Sequence, residues 1–368
     1  MKLYLYVFSL ISLFFSVQSY AEETFKLEDC TKQNINACTD FADNLYQQED
    51  DEQAIKYYRL LCDLDVGHGC RRVGLIHEHI FDTEPQLVKE MYFKSCALGD
   101  MIGCSNVGLL FDDKEEYNKA REYYEKACSA NQRTGCNNLA VHYEYGNEYD
   151  YGVEKDFKKA AKLYKKACKL ELAKACENTG NIYYFDLKNY KESLKWFKQG
   201  CTLNYGESCF SVGVQYYYGR GVKKDISTAN EFYTKSCELY NADACTNIGR
   251  AYMHYNDETD PNTKKNYKKG VELLTYACEN GDSLGCAGLS YAYINGLGVE
   301  KNHNTALEIA VYGCDEAYDT SHDNCFNAAW IYEKGTAVKH DLTLAKKYYK
   351  KACDEKDEGA CHNLTLLK

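Results

Sequence analysis

The sequence predicts an all-α protein, a solenoid of helical hairpins stacked one on the next. Three observations carry that prediction. The first is cysteine spacing. Cys30/Cys38, Cys62/Cys70, Cys96/Cys104, Cys128/Cys136, Cys168/Cys176, Cys201/Cys209, Cys237/Cys245, Cys278/Cys286 and Cys353/Cys361 are each C-x7-C. Cys314/Cys325 is the same device with three residues inserted, and all 20 cysteines are used. The second is composition. Only two prolines, Pro85 and Pro261, occur in 368 residues, beside 35 tyrosines. A chain almost free of proline and rich in Ala, Lys and Glu favours helix. The third is repetition. First cysteines recur every 32 to 41 residues, a period that belongs to stacked repeat units rather than to two or three separate domains.

The spacing has a geometric consequence. Eight residues of α-helix rise about 12 Å, whereas a disulfide needs its Cα atoms within about 7 Å. If each pair is bonded, no single helix holds both members and the chain reverses between them. Gly99, Gly206 and Gly281 fall in these reversals, where a helix C-cap wants positive φ. One helix therefore ends at the first cysteine and another opens at the second. A bridge across so short a loop stabilises by about 2–3 kcal/mol in the chain-entropy model. Zinc is a rival use of paired cysteines, but structural zinc sites prefer C-x2-4-C, which is absent here. Redox cysteines are typically C-x-x-C with a depressed thiol pKa, and twenty cysteines in one repeated context read as staples instead. Neither a metal nor a cofactor is expected.

Each helix has its own register. Eight residues before the first cysteine stands a small residue: Ala54, Ala120, Ala160, Ser193, Ala229, Gly270, Ala306 and Ala345, with Val88 the exception. Four before it stands an aromatic: Tyr58, Tyr92, Tyr124, Tyr164, Phe197, Tyr233 and Tyr349. Spacings of four put these on one stripe with the cysteine. The helix opened by the second cysteine carries an apolar residue three on (Val73, Val107, Leu139, Val212, Ile248, Leu289), a small one four on (Gly74, Gly108, Ala140, Gly180, Gly213, Gly249) and an aromatic seven on (Phe111, Tyr143, Tyr183, Tyr216, Tyr252, Tyr293, Tyr332). That is an i, i+3, i+4, i+7 face. Glycine inside a helix costs about 1 kcal/mol against alanine, so its recurrence predicts close helix–helix approach. Glycine-rich turns such as Tyr218-Gly-Arg-Gly-Val222 separate the two helices. About nine hairpins result, with a short helix from His362 to Leu367 as a C-terminal cap.

Residues 1–21 read as a secretory signal peptide: Lys2, an apolar run from Leu3 to Val17, and Ser19-Tyr20-Ala21 as the cleavage site. Residues 22–368 then form the solenoid. No later stretch has transmembrane length, and export agrees with the cysteine content, because disulfides persist outside the cytosol. The net charge of −11 makes nucleic acid a poor partner, since phosphate contact needs basic patches.

The segments YYYGRGVKKDISTANEFYTKSCELYNADAC and YINGLGVEKNHNTALEIAVYGC resemble Sel1-like repeats, relatives of the tetratricopeptide repeat. With C-x7-C in every unit, the chain resembles the Helicobacter cysteine-rich family of secreted Sel1-like proteins. The resemblance covers essentially all of 22–368. It implies one bridge per repeat, Cys30–Cys38 through Cys353–Cys361, and a right-handed α/α superhelix with a concave groove. It also implies a protein-binding role, and a label, since members are described as penicillin-binding proteins or β-lactamases.

The residues do not supply the chemistry of that label. A serine β-lactamase needs S-x-x-K, S-D-N and K-T-G, and none occurs. Lys334-Gly335-Thr336 has the letters in another order, inside a loop. His77-Glu78-His79 is the sole H-x-H, and on a helix i and i+2 point apart, so His77 reads as a core substitute for the repeat's aromatic. A binding surface has better candidates. Two residues after the second cysteine, asparagine recurs: Asn106, Asn138, Asn178, Asn247, Asn327 and Asn363. An amide side chain both donates and accepts, so this ladder suits an extended peptide or a glycan-peptide. It equally suits a role in tightening the first turn of each helix. Tyr143, Tyr145, Tyr149, Tyr151, Tyr216, Tyr217 and Tyr218 are candidates for the groove or its rim. The expected function is an exported interaction module for an extended peptide, a peptidoglycan fragment or a partner protein. The alternative is a β-lactam-binding protein with hydrolase activity.

Overall fold

The computed structural model describes residues 26–79, 85–149, 151–253, 266–315 and 321–367. The expected export segment 1–21, Asp82 and His254 lie outside them. The described residues form nineteen α-helices and no strand, and none of these helices is long and apolar enough to cross a membrane. Two compact units divide the chain after Leu172. The first holds four hairpins: Ile35–Gln47 with Asp51–Asp63, Gly67–His79 with Pro85–Ala97, Met101–Asp112 with Tyr117–Ser129, and Arg133–Tyr145 with Phe157–Lys169. The second holds five: Ala173–Asn181 with Tyr190–Thr202, Gly206–Tyr218 with Ile226–Glu238, Ala242–Met253 with Tyr267–Glu279, Ser283–Asn295 with His303–Asp315, and His322–Lys334 with Leu342–Asp354. A last helix, Glu358–Leu366, closes the chain. Each unit is an α/α solenoid segment, as the sequence predicts. The closing helix starts earlier than the expected His362, because Asp357 caps it by accepting from Ala360 N at 2.5 Å.

Every cysteine is bonded. The Cα–Cα distance is 5.3 Å in Cys30–Cys38, 4.6 Å in Cys62–Cys70 and 4.5 Å in both Cys96–Cys104 and Cys128–Cys136. In the second unit it is 4.6 Å in Cys201–Cys209, 4.7 Å in Cys237–Cys245 and 4.5 Å in Cys278–Cys286. The longer loop of Cys314–Cys325 closes at 4.9 Å, and Cys353–Cys361 at 4.7 Å. Cys168 and Cys176 are also disulfide-bonded. Within each unit, the bridges between hairpins span the reversals that join one hairpin to the next.

The bridges staple the turns, and most of their cysteines are core residues as well. Cys38, Cys70, Cys104, Cys136, Cys176, Cys209, Cys286 and Cys325 have no exposed surface, and Cys245 is 1% exposed. Cys237, Cys353 and Cys361 are the half-buried exceptions. The reason is register. The second cysteine is the first position of the leading helix's apolar face, so it turns inward with the residues three and four beyond it. Cys286 packs with Leu289 and Leu274, and Cys325 with Ala328 and Ala329. These sulfurs are thus sealed from solvent and serve the fold, not a ligand surface.

The reversal itself is a Schellman turn. In the one at Cys96, Gly99 N donates to the Cys96 carbonyl at 3.2 Å and Asp100 N to the Ser95 carbonyl at 3.1 Å. The same two bonds recur at Asp65/Val66, Asn131/Gln132, Asn204/Tyr205, Tyr240/Asn241, Gly281/Asp282 and Lys356/Asp357. The residue three after the first cysteine is the one with positive φ: 89° at Gly99, 88° at Gly281, but also 66° at Tyr240 and 58° at Asn204. Gly206 is not that residue. It opens the helix Gly206–Tyr218, and a Cβ there would lie 3.1 Å from the Leu239 carbonyl oxygen, so it serves close packing instead. The next residue often caps the following helix, as when Asp282 accepts from Gly285 N at 2.8 Å.

The stripes behave as their spacing predicts. Ala54, Ala120, Ala160, Ala229, Ala306 and Ala345 are fully buried. The aromatic on the trailing helix of a hairpin lies on the small residue of its leading helix. A Cβ at Gly108 would meet Tyr124 Cε1 at 2.3 Å, and one at Gly213 would meet Tyr233 Cε1 at 2.6 Å. Glycine is required there because the ring occupies the space of any side chain. Lysines tie successive trailing helices. Lys166 Nζ donates to the Cys128 carbonyl at 2.5 Å and Lys235 Nζ to the Cys201 carbonyl at 3.0 Å, each a second donor beside the turn's own N–H of Asn131 or Asn204.

Candidate functional site

The site begins with the hydroxyl of the stripe tyrosine. Tyr92 donates to Glu78 Oε2 at 2.5 Å, Tyr124 to Asp112 Oδ2 at 2.6 Å and Tyr164 to Glu144 Oε2 at 2.6 Å. Each acid stands eight residues after the second cysteine, one turn beyond the small residue under the ring. Tyr349 repeats the pair with Glu333 at 2.7 Å, and Tyr58 uses Asp43 at 2.6 Å. Asn106 hydrogen-bonds Tyr92, Asn138 bonds Tyr124 and Asn363 bonds Tyr349. One hydroxyl thus joins three helices: its own, the leading helix of its hairpin, and the leading helix of the next element. Burial and the facing carboxylates push the Tyr58, Tyr92 and Tyr124 hydroxyls far above their ordinary pKa.

Four hairpins of the second unit lack this clamp. At the positions of acid and tyrosine they carry Tyr184 and Phe197, Tyr217 and Tyr233, Met253 and Leu274, and Ile294 and Ala310. In the first two, the junction is a cavity. One of about 280 Å³ is lined by Phe210, Tyr217, Tyr218, Tyr233, Asn247 and Arg250 among others. The other, of about 190 Å³, is lined by Asn181, Tyr184, Phe197, Ser211 and Arg220 and shares Phe210 and Val214 with the first. The lining uses the clamp's own positions, with Ser211 and Asn247 standing where Asn138 stands in a closed junction. Tyr184 and Phe185 come from a single π-helical segment, Ile182–Asp186.

Arg220 stands at the mouth. It hydrogen-bonds the Tyr184 hydroxyl, and its guanidinium lies 5.4 Å from the Tyr184 ring and 5.0 Å from the Tyr218 ring. Lys224 lies 5.5 Å from the Tyr217 ring. Beneath the smaller cavity, Glu177 accepts from Ser208 Oγ at 2.6 Å and Ser211 Oγ at 3.0 Å. Burial pushes its carboxyl up to about 7, despite those two hydroxyls. Such a groove has aromatic walls with amide and guanidinium donors.

All six ladder asparagines are half-buried. Asn247 lines the larger cavity, whereas Asn106, Asn138 and Asn363 meet tyrosine hydroxyls and Asn327 donates to the Ala287 carbonyl at 3.3 Å. Of the tyrosines expected at the groove or rim, Tyr217 and Tyr218 line it, while Tyr145 and Tyr149 are exposed and edge-to-face at 5.1 Å. Tyr151 stacks on the buried His142 at 4.3 Å. Tyr143 is a correction: it is buried, because the Asp156 amide, 2.7 Å from its carbonyl oxygen, folds the next helix over it. His77 is buried beside Arg59 and His79 is exposed. Among the described residues, only His322, Asp323 and Asp357 bring three possible metal donors together. There His322 Nδ1 lies 3.1 Å from Asp357 Oδ2, the acid that caps the closing helix. Arg220 and the clamp acids escaped the sequence reading. The acids left a signal, since Glu78, Asp112, Glu144 and Glu333 each precede a stripe tyrosine.

Comparison with known proteins agrees with this geometry. The Sel1 repeat model matches residues 45–66, 134–172, 173–205, 206–241, 242–282, 283–310 and 325–357, and a tetratricopeptide repeat model matches 103–134. The solved Sel1 repeat protein of Oxalobacter formigenes is 26% identical, with a TM-score of 0.56 over 68% of this chain and all of that one. A protective antigen of uropathogenic Escherichia coli with an SLR fold has a TM-score of 0.69 at 20% identity, covering 90% of this chain and 72% of that one. Cytochrome c oxidase assembly factor 7 of Danio rerio is 31% identical over 108 residues, 28% of this chain and 47% of that protein. The chain thus spans about half the length of such curated relatives. The four matched stretches from 134 to 282 start and stop with the hairpins, and the chain belongs to the Sel1 repeat family, as a scaffold of stacked, disulfide-linked repeats.

Proposed function

We propose that this chain is an exported scaffold that holds an extended peptide segment of a partner protein in the groove formed by Ala173–Asn181, Gly206–Tyr218, Ile226–Glu238 and Ala242–Met253. The observation that carries the reading is the pair of adjoining cavities where the clamp is absent. Concave, largely apolar sites with a few convergent polar groups are the usual form of a ligand site, and Tyr offers large contact area at low entropy cost. Asn247 sits in the wall, where its amide can pair with a ligand's backbone. Ten bridges fit an oxidising compartment.

The test is a peptide array probed with the oxidised protein, followed by titration of the hits. Phe210→Ala should weaken binding about tenfold, and Asn247→Ala several-fold, as expected for buried interface groups. Replacing Asn106, Asn138, Asn178, Asn327 and Asn363 singly reads how far the ligand runs along the ladder. A muropeptide competitor reports whether a peptidoglycan fragment occupies the same groove. Turnover of a chromogenic cephalosporin, co-eluting with the folded protein, would overturn the scaffold reading in favour of the hydrolase.

A further inference from the structure

We infer that the helix Phe157–Lys169 docks the protein on an anionic lipid surface, through the lysine stripe Lys158, Lys162, Lys165 and Lys169. The inference is independent of the groove, whose lining residues belong to the other unit.

The helix carries six lysines and no acid in 13 residues. Spacings of four, three and four put Lys158, Lys162, Lys165 and Lys169 on one stripe, about 16 Å from end to end. The opposite side is the buried one, with Ala160, Ala161, Tyr164, Ala167 and Cys168. Lys158, Lys162 and Lys169 are exposed, and among the described residues their side chains have no ion-pair partner. Lys165 is half-buried. The two lysines off the stripe are engaged: Lys159 Nζ lies 3.8 Å from the centre of the Tyr143 ring, and Lys166 bonds the Cys128 carbonyl. Acids do stand nearby. Glu154 and Asp156 precede the helix and Glu171 follows it, while Glu122 and Glu125 are exposed on Tyr117–Ser129 of the same unit. Asp156 is the helix cap, accepting from Lys159 N at 2.9 Å, and Glu148 is paired with Lys155. Glu122 and Glu125 share their helix with Lys119, Arg121 and Lys126.

Folding gains nothing from this pattern. Like charges three or four apart on a helix repel, and lysines in the first turn oppose the helix dipole. The same place in the repeat is filled elsewhere with mixed charges, as in Tyr117–Ser129. A local rule broken with no return in packing is the usual mark of a functional surface. The stripe's chemistry selects the partner. Its cations are all lysine, a compact charge on a flexible stem that takes phosphates one at a time, whereas a carboxylate is gripped best by the planar arginine fork. The stripe carries no aromatic ring on which a base could stack. Many separate phosphates on one surface are what a bilayer of acidic lipid offers. Each lysine near such a surface raises partitioning about fivefold. The chain as a whole is repelled, at −11, so the stripe sets which face makes contact.

Co-sedimentation of the oxidised full chain with vesicles tests this. The probes are vesicles of phosphatidylcholine alone and of phosphatidylcholine with about 30% phosphatidylglycerol, at about 50 mM and about 300 mM salt. Phosphatidylcholine alone reports any adsorption that needs no charge. Partitioning should be about tenfold or more stronger on the acidic vesicles at low salt, and most of that margin should vanish at high salt, where exposed charges are screened. The triple variant Lys158→Gln, Lys162→Gln, Lys169→Gln should lose about tenfold or more of it. Its urea midpoint should hold or rise, since repulsion within the helix is relieved. The triple variant Lys114→Gln, Lys301→Gln, Lys339→Gln removes the same charge from exposed lysines elsewhere and should change partitioning little. Equal partitioning on both vesicles overturns the inference. So does an equal loss in the two triple variants, which would assign the effect to net charge. Stripe-dependent retention on an immobilised acidic peptide or on DNA, without preference between the vesicles, would put a protein or nucleic-acid partner in place of the lipid.

Discussion

The hairpins before Leu172 and those from Ala173 to Glu279 build one junction in opposite ways. In the first set a tyrosine hydroxyl, a carboxylate and in two cases a ladder asparagine meet at the point where three helices converge. In the second set the acid is replaced by Tyr184, Tyr217 or Met253, and two of the three junctions are cavities. The lesson is that a repeat protein opens a cavity by omission. A buried hydroxyl–carboxylate pair binds three helices, and removing its polar groups while keeping the aromatic walls leaves a pocket of the same outline.

The carboxylates show the contrast as well. Against the opposing pull of burial, the Tyr58 hydroxyl and His68 hold Asp43 below its ordinary range. Glu177, which has serine hydroxyls and no cation, is pushed upward by burial.

The largest expected effect breaks a closed junction sterically. Gly108→Val would drive a side chain into Tyr124, whose ring lies 2.3 Å from the Cβ position, and should cost about 3 kcal/mol or more in urea unfolding. Gly249→Ala, facing Leu274 Cγ at 3.0 Å, should cost only about 1 kcal/mol, because leucine can change rotamer and a clamped tyrosine cannot.

Next comes pH. Glu177 titrates near 7 in the folded chain against 4.5 in the ordinary case. Below about pH 4.5 it is protonated in both states and costs nothing. Above about pH 7 it is charged in both, and the fold carries the full desolvation cost. Its contribution therefore makes stability fall as pH rises from 4.5 to 7. Glu177→Gln should stabilise by about 2–3 kcal/mol at pH 8 and by little at pH 4; an equal gain at both would show that the carboxyl is not desolvated.

Removing a hydroxyl sharpens the comparison further. Tyr124→Phe leaves the clamp acid Asp112 with His142 as its remaining contact and should cost about 1–2 kcal/mol. Tyr233→Phe, which faces Tyr217 in place of an acid, should stay within about 0.5 kcal/mol. Similar losses at both would mean that the open junction is polar-bonded after all.

The smallest effect concerns the reversals. Tyr240 holds φ 66° without being glycine, and Tyr240→Gly should raise stability by about 0.5–1 kcal/mol. Asn131→Gly at φ 63° should change it by less, since asparagine tolerates that conformation.

Much of this was legible from residue order alone, for a physical reason. Cysteine spacing forces the chain to reverse, and a spacing of four along a helix puts Ala120, Tyr124 and Cys128 on one face whatever surrounds them. Hairpins, bridged turns and buried stripes follow from local geometry and the need to bury apolar surface, so the sequence by itself determined them. It misled at Gly206, because the left-handed residue is set by its place in the Schellman turn rather than by its identity. It also understated the bridges: Cys136 and Cys209 are sealed in the core, a depth that comes from the hairpins packed around them. The asparagine ladder stayed open between ligand and structure, since one residue type at one register position serves either end. Only the tertiary structure decided that Asn138 meets a tyrosine hydroxyl while Asn247 faces a cavity. It likewise decided that Arg220, an ordinary loop residue in sequence, lies between two tyrosine rings. Those outcomes depend on which side chains from three separate helices reach one point, and no single stretch of sequence contains that convergence.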